Sequence, residues 1–176
     1  DFIEDLFVAN THSYILFFTN QGRVYWLKVY CIPEAGRQAM GKAIVNLLNL
    51  QKDEKVTAFV PVKEFDEQHY LIMATKQGTI KKTNLIAYSN PRITGIIAIT
   101  LDPGDELIGV VLTDGSQQII LATKNGRALR FEETKVRPTG RSAMGVKGIG
   151  LRDDEAIGIV VASDEKTLLT LTEHGY

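Results

Sequence analysis

The chain has 176 residues, of which 44% are hydrophobic and 23% charged, a composition typical of a folded globular protein and not of a disordered one. No apolar run approaches the roughly 18 residues of a membrane-spanning helix, and a single cysteine, Cys31, excludes an intrachain disulfide framework. The single cysteine and the absence of a signal peptide indicate the cytoplasm, and the three scattered histidines lack metal-ligand spacing, so we expect neither a metal nor a cofactor.

Four segments of the chain follow one template, which consists of an apolar run, a threonine, two further residues, a glycine and a second run. They lie at residues 15–24, 71–80, 119–128 and 168–176. Glycine tolerates the positive φ angles that tight hairpin turns require, so each segment is predicted to form a β-hairpin. A period of about fifty residues is typical of stacked repeats, and the predicted repeats are 1–52, 53–103, 104–152 and a truncated 153–176.

Further apolar runs flank each predicted hairpin and are short enough to be strands. An opening strand is predicted before each hairpin, at residues 3–9, 56–62, 107–112 and 156–162. Another is predicted after the long loop that follows the hairpin, at residues 44–48, 96–101 and 146–151. Four strands per repeat predict an all-β, propeller-like fold with about three four-stranded blades and a partial fourth, since a single blade cannot bury both of its faces. A β-sandwich with coincidental internal similarity is the alternative.

The net charge of −1 conceals a segregated charge distribution. Segments 20–48, 76–100 and 124–150, which run from each glycine turn through the long loop, hold fifteen basic and three acidic residues. The rest of the chain holds five basic and eighteen acidic residues, several of them just before the opening strands, at 53–54, 105–106 and 153–155. Because stacked repeats align equivalent positions, the sequence predicts a basic band suited to a polyanion and an acidic opposite edge. Ordinary solvated surface charge is the alternative.

The long loops at 36–43 and 140–148 place a glycine between an arginine and a lysine, which lets backbone N–H groups approach phosphates beside neutralising cations. The middle loop, 91–97, keeps an arginine and a glycine without a following cation and is expected to bind more weakly. The candidate phosphate-contacting residues are Arg23, Lys28, Arg37, Lys42, Lys76, Lys81, Lys82, Arg92, Lys124, Arg127, Arg130, Arg137, Arg141 and Lys147.

Several stretches along the whole chain carry a family resemblance, and they lie at 8–12, 22–25, 28–30, 44–48, 73–75, 78–83 and 104–110. They are similar to the C-terminal domain of the DNA gyrase A subunit, and the related domain of the topoisomerase IV A subunit is the relative most easily confused with it. The resemblance implies a β-pinwheel of about six blades that exchange strands. It also implies non-sequence-specific bending or wrapping of duplex DNA on a basic outer rim, within an ATP-dependent enzyme that introduces negative supercoils.

The resemblance also implies binding partners, and the chain differs from the family in two respects. The partners are duplex DNA, the remainder of the A subunit and, through it, the B subunit, with no membrane. The family's Gln-Arg-Arg-Gly-Gly-Lys-Gly-type box and the final blades are absent, so we expect an excised fragment whose unpaired blade edges permit self-association. Catalytic residues belong to other domains, and this chain alone is not expected to be an enzyme.

A propeller-type protein-interaction module is the alternative function, and its mark would be an exposed aromatic face. The residues that could form this face are Tyr25, Trp26, Tyr30, Phe65, Tyr70, Tyr88 and Phe131.

Overall fold

The computed structural model describes residues 6–36, 38–165 and 167–171, and within these ranges the regular elements of five residues or more are all β-strands. The strands are β1 (Tyr14–Thr19), β2 (Arg23–Lys28), β3 (Val56–Val62), β4 (Tyr70–Thr75), β5 (Thr79–Asn84), β6 (Ile96–Ile97), β7 (Leu107–Thr113), β8 (Gln118–Thr123), β9 (Ala128–Glu132), β10 (Val146–Lys147) and β11 (Ala156–Ala162). Short 3₁₀ turns occur at Val29–Cys31, Ile44–Asn46, Leu85–Tyr88 and Glu133–Lys135. In the described ranges, no helix has the length and apolar character needed to cross a membrane.

Three antiparallel sheets are built on the first three of the four predicted hairpins. Their strand orders are β3-β1-β2-β6, β10-β5-β4-β7 and β11-β8-β9. The hairpin glycines Gly22, Gly78 and Gly126 have φ angles of 73°, 84° and 79°, the left-handed region in which glycine is strongly favoured. The template glycines therefore mark these turns as the sequence predicted, and the all-β prediction is confirmed.

Each sheet takes strands from more than one of the predicted repeats. The opening strand of the following repeat completes a sheet, since β3 pairs with β1, β7 with β4 and β11 with β8. The short strands after the long loops also reach back one unit, so β6 pairs with β2 and β10 pairs with β5. The sheets are thus linked by exchanged strands, and each one crosses the predicted repeat boundaries.

Two strands predicted in the first repeat are absent from the described structure. Residues 6–9 are not in a strand, with residues 3–5 outside the described part, and Ile44–Asn46 forms a 3₁₀ turn. In the later repeats, the equivalent runs pair with the sheet of the preceding unit. The described chain has no sheet before β1, so these two runs lack the backbone partners that a strand requires.

The strands predicted at 96–101 and 146–151 shorten to two residues each, because the backbone then turns onto a hairpin glycine. The N–H groups of Ala98 and Ile99 donate to the carbonyl oxygen of Gly22 at 2.8 and 3.1 Å. The N–H groups of Gly148 and Ile149 donate to Gly78 in the same way, at 2.9 and 3.2 Å. The hairpin strand predicted at 168–176 is also absent from 168–171, and residues 172–176 lie outside the described part.

The hydrophobic core lies between the sheets and uses both faces of the middle one. On β4, Leu71 and Met73 pack in a cluster with residues of the first sheet, while Ile72 and Ala74 pack with residues of the third. Successive strand residues point to opposite faces, so the continuous apolar run of β4 reflects burial on both sides. Stacking of neighbouring sheets therefore supplies the core that one sheet could not form alone.

Candidate nucleic-acid interface

A groove beside β6 brings together three of the predicted cations from three successive repeats. It is lined by Arg23 of β2, Arg92 of the loop before β6 and Arg141 of the loop before β10, with the hydroxyl-bearing residues Thr94 and Ser142, and has a volume of about 260 Å³. None of the described residues that line it carries a carboxylate. We call this feature the arginine groove. Its charge and hydroxyl groups suit the phosphate oxygens of a nucleic-acid backbone.

Arg23 is the most firmly fixed of the three arginines. Its Nη2 donates to the carbonyl oxygens of Thr94 and Gly95 at 2.6 and 3.1 Å, and its Nε lies 4.0 Å from Glu54 Oε1. The Gly95 backbone packs so closely on the Tyr25 ring that an added Cβ would lie 2.7 Å from ring atoms. Arg23 therefore holds the loop that carries Arg92, and it adds positive potential to the groove.

Arg92 is exposed and Arg141 is half-buried, and within the described part of the chain their guanidinium groups have no hydrogen-bond or ion-pair partner. The backbone that carries the Arg141 side chain is fixed by hydrogen bonds, although the side chain is not. Its carbonyl oxygen accepts a hydrogen bond from Lys81 Nζ, and the next carbonyl, of Ser142, accepts one from Thr100 Oγ1 at 2.7 Å. Both guanidinium groups are thus available to a ligand on a fixed backbone.

Lys81 and Lys82 do not lie on the surface, so their predicted role in contacting a polyanion is corrected. They are 1% and 4% exposed, because β5 is covered on both faces by its neighbours. Lys81 Nζ donates to the carbonyl oxygen of Ala98 at 2.7 Å, and burial, followed by the nearby charge of Arg141, lowers the pKa of Lys81 to about 8. Lys82 Nζ lies 2.8 Å from Glu133 Oε2 and 4.3 Å from the centre of the Tyr70 ring.

Glu133, which the sequence analysis counted among the acids of the basic segments, is fully buried. Its carboxylate accepts hydrogen bonds from Thr113 Oγ1 at 2.7 Å, from the N–H of Gly115 at 3.0 Å and from the N–H of Gln117 at 2.8 Å. Burial acts to raise its pKa, but hydrogen bonding to Lys82 and these donors prevails and holds the pKa below the ordinary value. Lys82 and Glu133 therefore link the second and third sheets through a buried ion pair.

The remaining predicted cations fall into three groups. One group is exposed, and it comprises Lys42, Lys124, Arg127, Arg137 and Lys147. A second group contacts other protein groups: Lys28 Nζ lies 3.8 Å from the centre of the Tyr14 ring, Lys76 Nζ 3.4 Å from Glu155 Oε1, and Arg130 Nη2 2.6 Å from Asp164 Oδ1. Such partly exposed ion pairs contribute little to stability. Arg37 lies outside the described residues.

Part of the predicted acidic edge stabilises the hairpin turns through hydrogen bonds. Glu54 and Asp105 are buried. Glu54 accepts hydrogen bonds from Thr19 Oγ1 and from the hydroxyl of Tyr25 at 2.6 and 2.7 Å. Asp105 accepts one from the N–H of Gln77, a turn residue, at 2.9 Å.

Asp154 occupies the same place in the third unit and accepts a hydrogen bond from the N–H of the turn residue Asn125 at 3.0 Å. A hydrogen bond from Thr123 is the leading cause of its lowered pKa. Sequence reasoning missed this structural role, although the recurrence of an acid just before each opening strand was the signal that could have revealed it.

A family model described as the DNA gyrase C-terminal domain, beta-propeller, matches residues 13–63, 69–114 and 117–163. The chain belongs to this family. The resemblance noted in the sequence and the propeller-like β-pinwheel fold are thereby confirmed.

Relatives of the chain include A subunits of DNA gyrase. That of Salmonella typhimurium is 50% identical over 177 residues, which cover 100% of this chain and 20% of the relative. That of Clostridium acetobutylicum is 54% identical over 148 residues, which cover 84% of this chain and 18% of the relative. The chain thus spans about a fifth of the length of these relatives.

Solved structures show the same architecture. The C-terminal domain of DNA topoisomerase IV superposes with a TM-score of 0.80 at 31% identity, covering 88% of this chain and 49% of that one. The DNA gyrase A C-terminal domain superposes with a TM-score of 0.72 at 25% identity, covering 87% and 49%. The described sheets therefore correspond to about half of each of these domains.

Proposed function

We propose that this chain binds duplex DNA without sequence specificity, through the arginine groove and the exposed cations, and bends or wraps it. The observation that carries the proposal is the arginine groove itself, in which Arg23, Arg92 and Arg141 of successive repeats meet without a lining carboxylate. Guanidinium groups form charge-assisted, often bidentate hydrogen bonds with phosphate oxygens. Because phosphates are the same in every sequence, such contacts bind DNA by its backbone and its deformability.

Within a complete enzyme, the domain acts as an architectural part of DNA gyrase in the cytoplasm. The family match supports this role, and its partners are the remainder of the A subunit and, through it, the B subunit. DNA held on the domain supports the introduction of negative supercoils, while DNA cleavage and ATP hydrolysis belong to other domains. Membership in topoisomerase IV is the alternative. Gyrase A relatives that are about 50% identical along the whole chain favour gyrase, whereas among the solved structures the topoisomerase IV domain, at 31% identity, is more similar than the gyrase A domain, at 25%.

The protein-interaction alternative has less support, because the aromatic residues that would form its surface are mostly covered. Tyr25 and Tyr88 are buried, at 3% and 0% exposure. Trp26, Phe65, Tyr70 and Phe131 are half-buried. Tyr30, at 63% exposure, is the exception in that set.

Charge reversal tests the proposed surface. The double variant Arg92→Glu/Arg141→Glu should lose at least roughly tenfold in affinity for a mixed-sequence duplex, since two phosphate contacts become repulsive. The control is Lys63→Glu, an exposed position outside the basic segments. Both variants should unfold at the wild-type temperature. Equal affinities of the double variant and the control would contradict the assignment of the arginine groove.

A further inference from the structure

We propose that Lys81 is a positioning residue for Arg141: its buried ammonium fixes the loop that presents the Arg141 guanidinium to a DNA phosphate, without touching DNA itself. This inference rests on the proposed function, because it takes the arginine groove to be the contact surface. Its basis is that Lys81, although a cation in a basic segment, points into the protein and donates to the backbone of the very residue that lines the groove.

The contacts of Lys81 join two sheets. Lys81 belongs to β5 of the second sheet, and its ammonium donates to the carbonyl oxygen of Ala98, which follows β6 of the first sheet, at 2.7 Å. It donates also to the carbonyl oxygen of Arg141. The hydroxyl of Tyr88 donates to the same Ala98 oxygen at 3.2 Å. The ammonium thus lies at the point where β5, the segment after β6 and the Arg141 loop meet.

Other contacts show that the Arg141 loop is held both by β5 and by the segment after β6. Thr139 N–H donates to the carbonyl oxygen of Lys82 at 2.8 Å, and Thr100 Oγ1 donates to that of Ser142 at 2.7 Å. At Gly145, with a φ of +99°, an added Cβ would lie 2.6 Å from the carbonyl oxygen of Ile80. The loop therefore has a defined path over β5, and Lys81 is its anchor nearest to Arg141.

The first sheet has a comparable contact at a different strand position, since Arg23 pairs with β6 as Thr79, and not Lys81, pairs with β10. There Arg23 of β2 donates to the carbonyl oxygens of Thr94 and Gly95, in the loop that carries Arg92. In both sheets, a cation on the second hairpin strand binds backbone carbonyls of the loop that arrives from the next repeat. Lys81 performs this task from a buried position, which leaves the groove itself to Arg141.

A double-mutant cycle on the whole chain tests the proposal, with Lys81→Met and Arg141→Ala measured by DNA affinity across a salt series. Each phosphate contact that is lost reduces the steepness of log affinity against log salt by about 0.9. If Lys81 acts through Arg141, the slope should become shallower by about 0.9 in each single variant and by the same amount, about 0.9, in the double variant. If the two residues contacted DNA independently, the slope of the double variant would become shallower by about 1.8, and that result would overturn the proposal.

Lys63→Met removes the same charge at an exposed site outside the basic segments and should leave the slope at its wild-type value. If Arg141→Ala itself leaves affinity and slope unchanged, the proposed function of the groove fails. If Arg141→Ala lowers both and Lys81→Met does not, the positioning role alone fails.

A second variant avoids changing a buried position. Thr100 is exposed, and Thr100→Val removes the hydrogen bond to Ser142 without removing charge. We expect Thr100→Val to weaken DNA binding and to reduce the effect of Arg141→Ala. If Thr100→Val leaves both at wild-type values, the idea that the loop is positioned by its carbonyls is refuted, whatever happens to the folding of Lys81→Met.

The pH profile supplies a readout that general destabilisation would not produce. The charged and titratable groups beside Lys81 are Arg141 and Tyr88, and burial raises the pKa of Tyr88; neighbouring Lys82 is paired with Glu133. Wild-type affinity should therefore fall severalfold as Lys81 loses its proton near pH 8. The Arg141→Ala variant has no guanidinium to position, so its affinity should change little; a parallel fall would contradict the proposal.

Discussion

At the scale of single residues, the fate of a charged side chain depends on which faces of its strand are covered. Lys81 and Lys82 sit beside each other on β5, and Lys81 belongs to the contacts of one sheet interface while Lys82 belongs to the other. The sequence identifies both as cations, and either would be exposed only if its face of the strand were open to water. Burial depends on the sheet stacked against each face, which no local pattern reveals.

The Lys82–Glu133 pair yields a prediction about stability. Lys82→Met should lower the free energy of unfolding by about 3–5 kcal/mol, because it leaves the buried Glu133 carboxylate without its cation. Adding Glu133→Gln should recover part of this loss, since no uncompensated charge remains. Urea denaturation of the four chains of the cycle measures both effects, and strictly additive losses would contradict direct coupling.

The same pair predicts a dependence on pH. The folded-state pKa of Glu133 lies below its ordinary value of 4.5, so its contribution to stability is present above that value and is lost as the pH falls through the folded pKa. Wild-type stability should therefore fall more steeply with acid than that of Lys82→Met/Glu133→Gln.

At the scale of elements, the hairpins were predictable from the residues, whereas the exchange of strands between neighbouring sheets was anticipated only by the family resemblance. The template glycines placed the turns at Gly22, Gly78 and Gly126, since a turn is a local feature that depends on backbone φ. Strand pairing depends on segments far apart in sequence, and so β3, β7 and β11 joined the preceding sheets. The runs at 6–9 and 44–48 show the same limit, because an apolar run becomes a strand only where a partner strand is present.

A matched pair of glycines tests how the exchanged segments contribute. At Gly78, an added Cβ would lie 2.9 Å from the carbonyl oxygen of Ile149, whereas at Gly126 nothing lies within 4 Å. Both have positive φ, so Gly126→Ala should cost about 1 kcal/mol of strain alone. Gly78→Ala should cost about 1–3 kcal/mol more, since backbone must move. Urea denaturation measures the free energy of unfolding of both variants. Equal losses would mean that the segment after β10 does not restrict the space at the Gly78 turn.

At the scale of the whole molecule, the segregation of charge selected the three arginines of the arginine groove, but it also selected Lys81 and Lys82, which are buried. The arginine groove combines residues that lie 49 to 118 positions apart in the chain, as Arg141 does from Arg92 and from Arg23. Sequence reasoning could propose that stacked repeats align their cations. Sequence reasoning could not distinguish the groove arginines from the buried Lys81 and Lys82. It could not distinguish the exposed acids from Glu54 and Asp105 either, which are buried and hydrogen-bonded at the turns.

The expected self-association through unpaired blade edges stays a prediction. In the part of the chain that the structure describes, β9 is an edge of a three-stranded sheet, whereas β2 and β5 are covered by β6 and β10.

The most direct test of the account is the affinity of the folded chain for a mixed-sequence duplex, measured across a salt series from about 50 to 200 mM. If Arg92 and Arg141 of the arginine groove contact phosphates, log affinity should fall against log salt with a slope of at least about −1.8, and more steeply if the exposed cations take part. A chain that is folded but shows no binding at low salt, or binding that salt does not weaken, would contradict DNA binding through the arginine groove and favour the protein-interaction alternative.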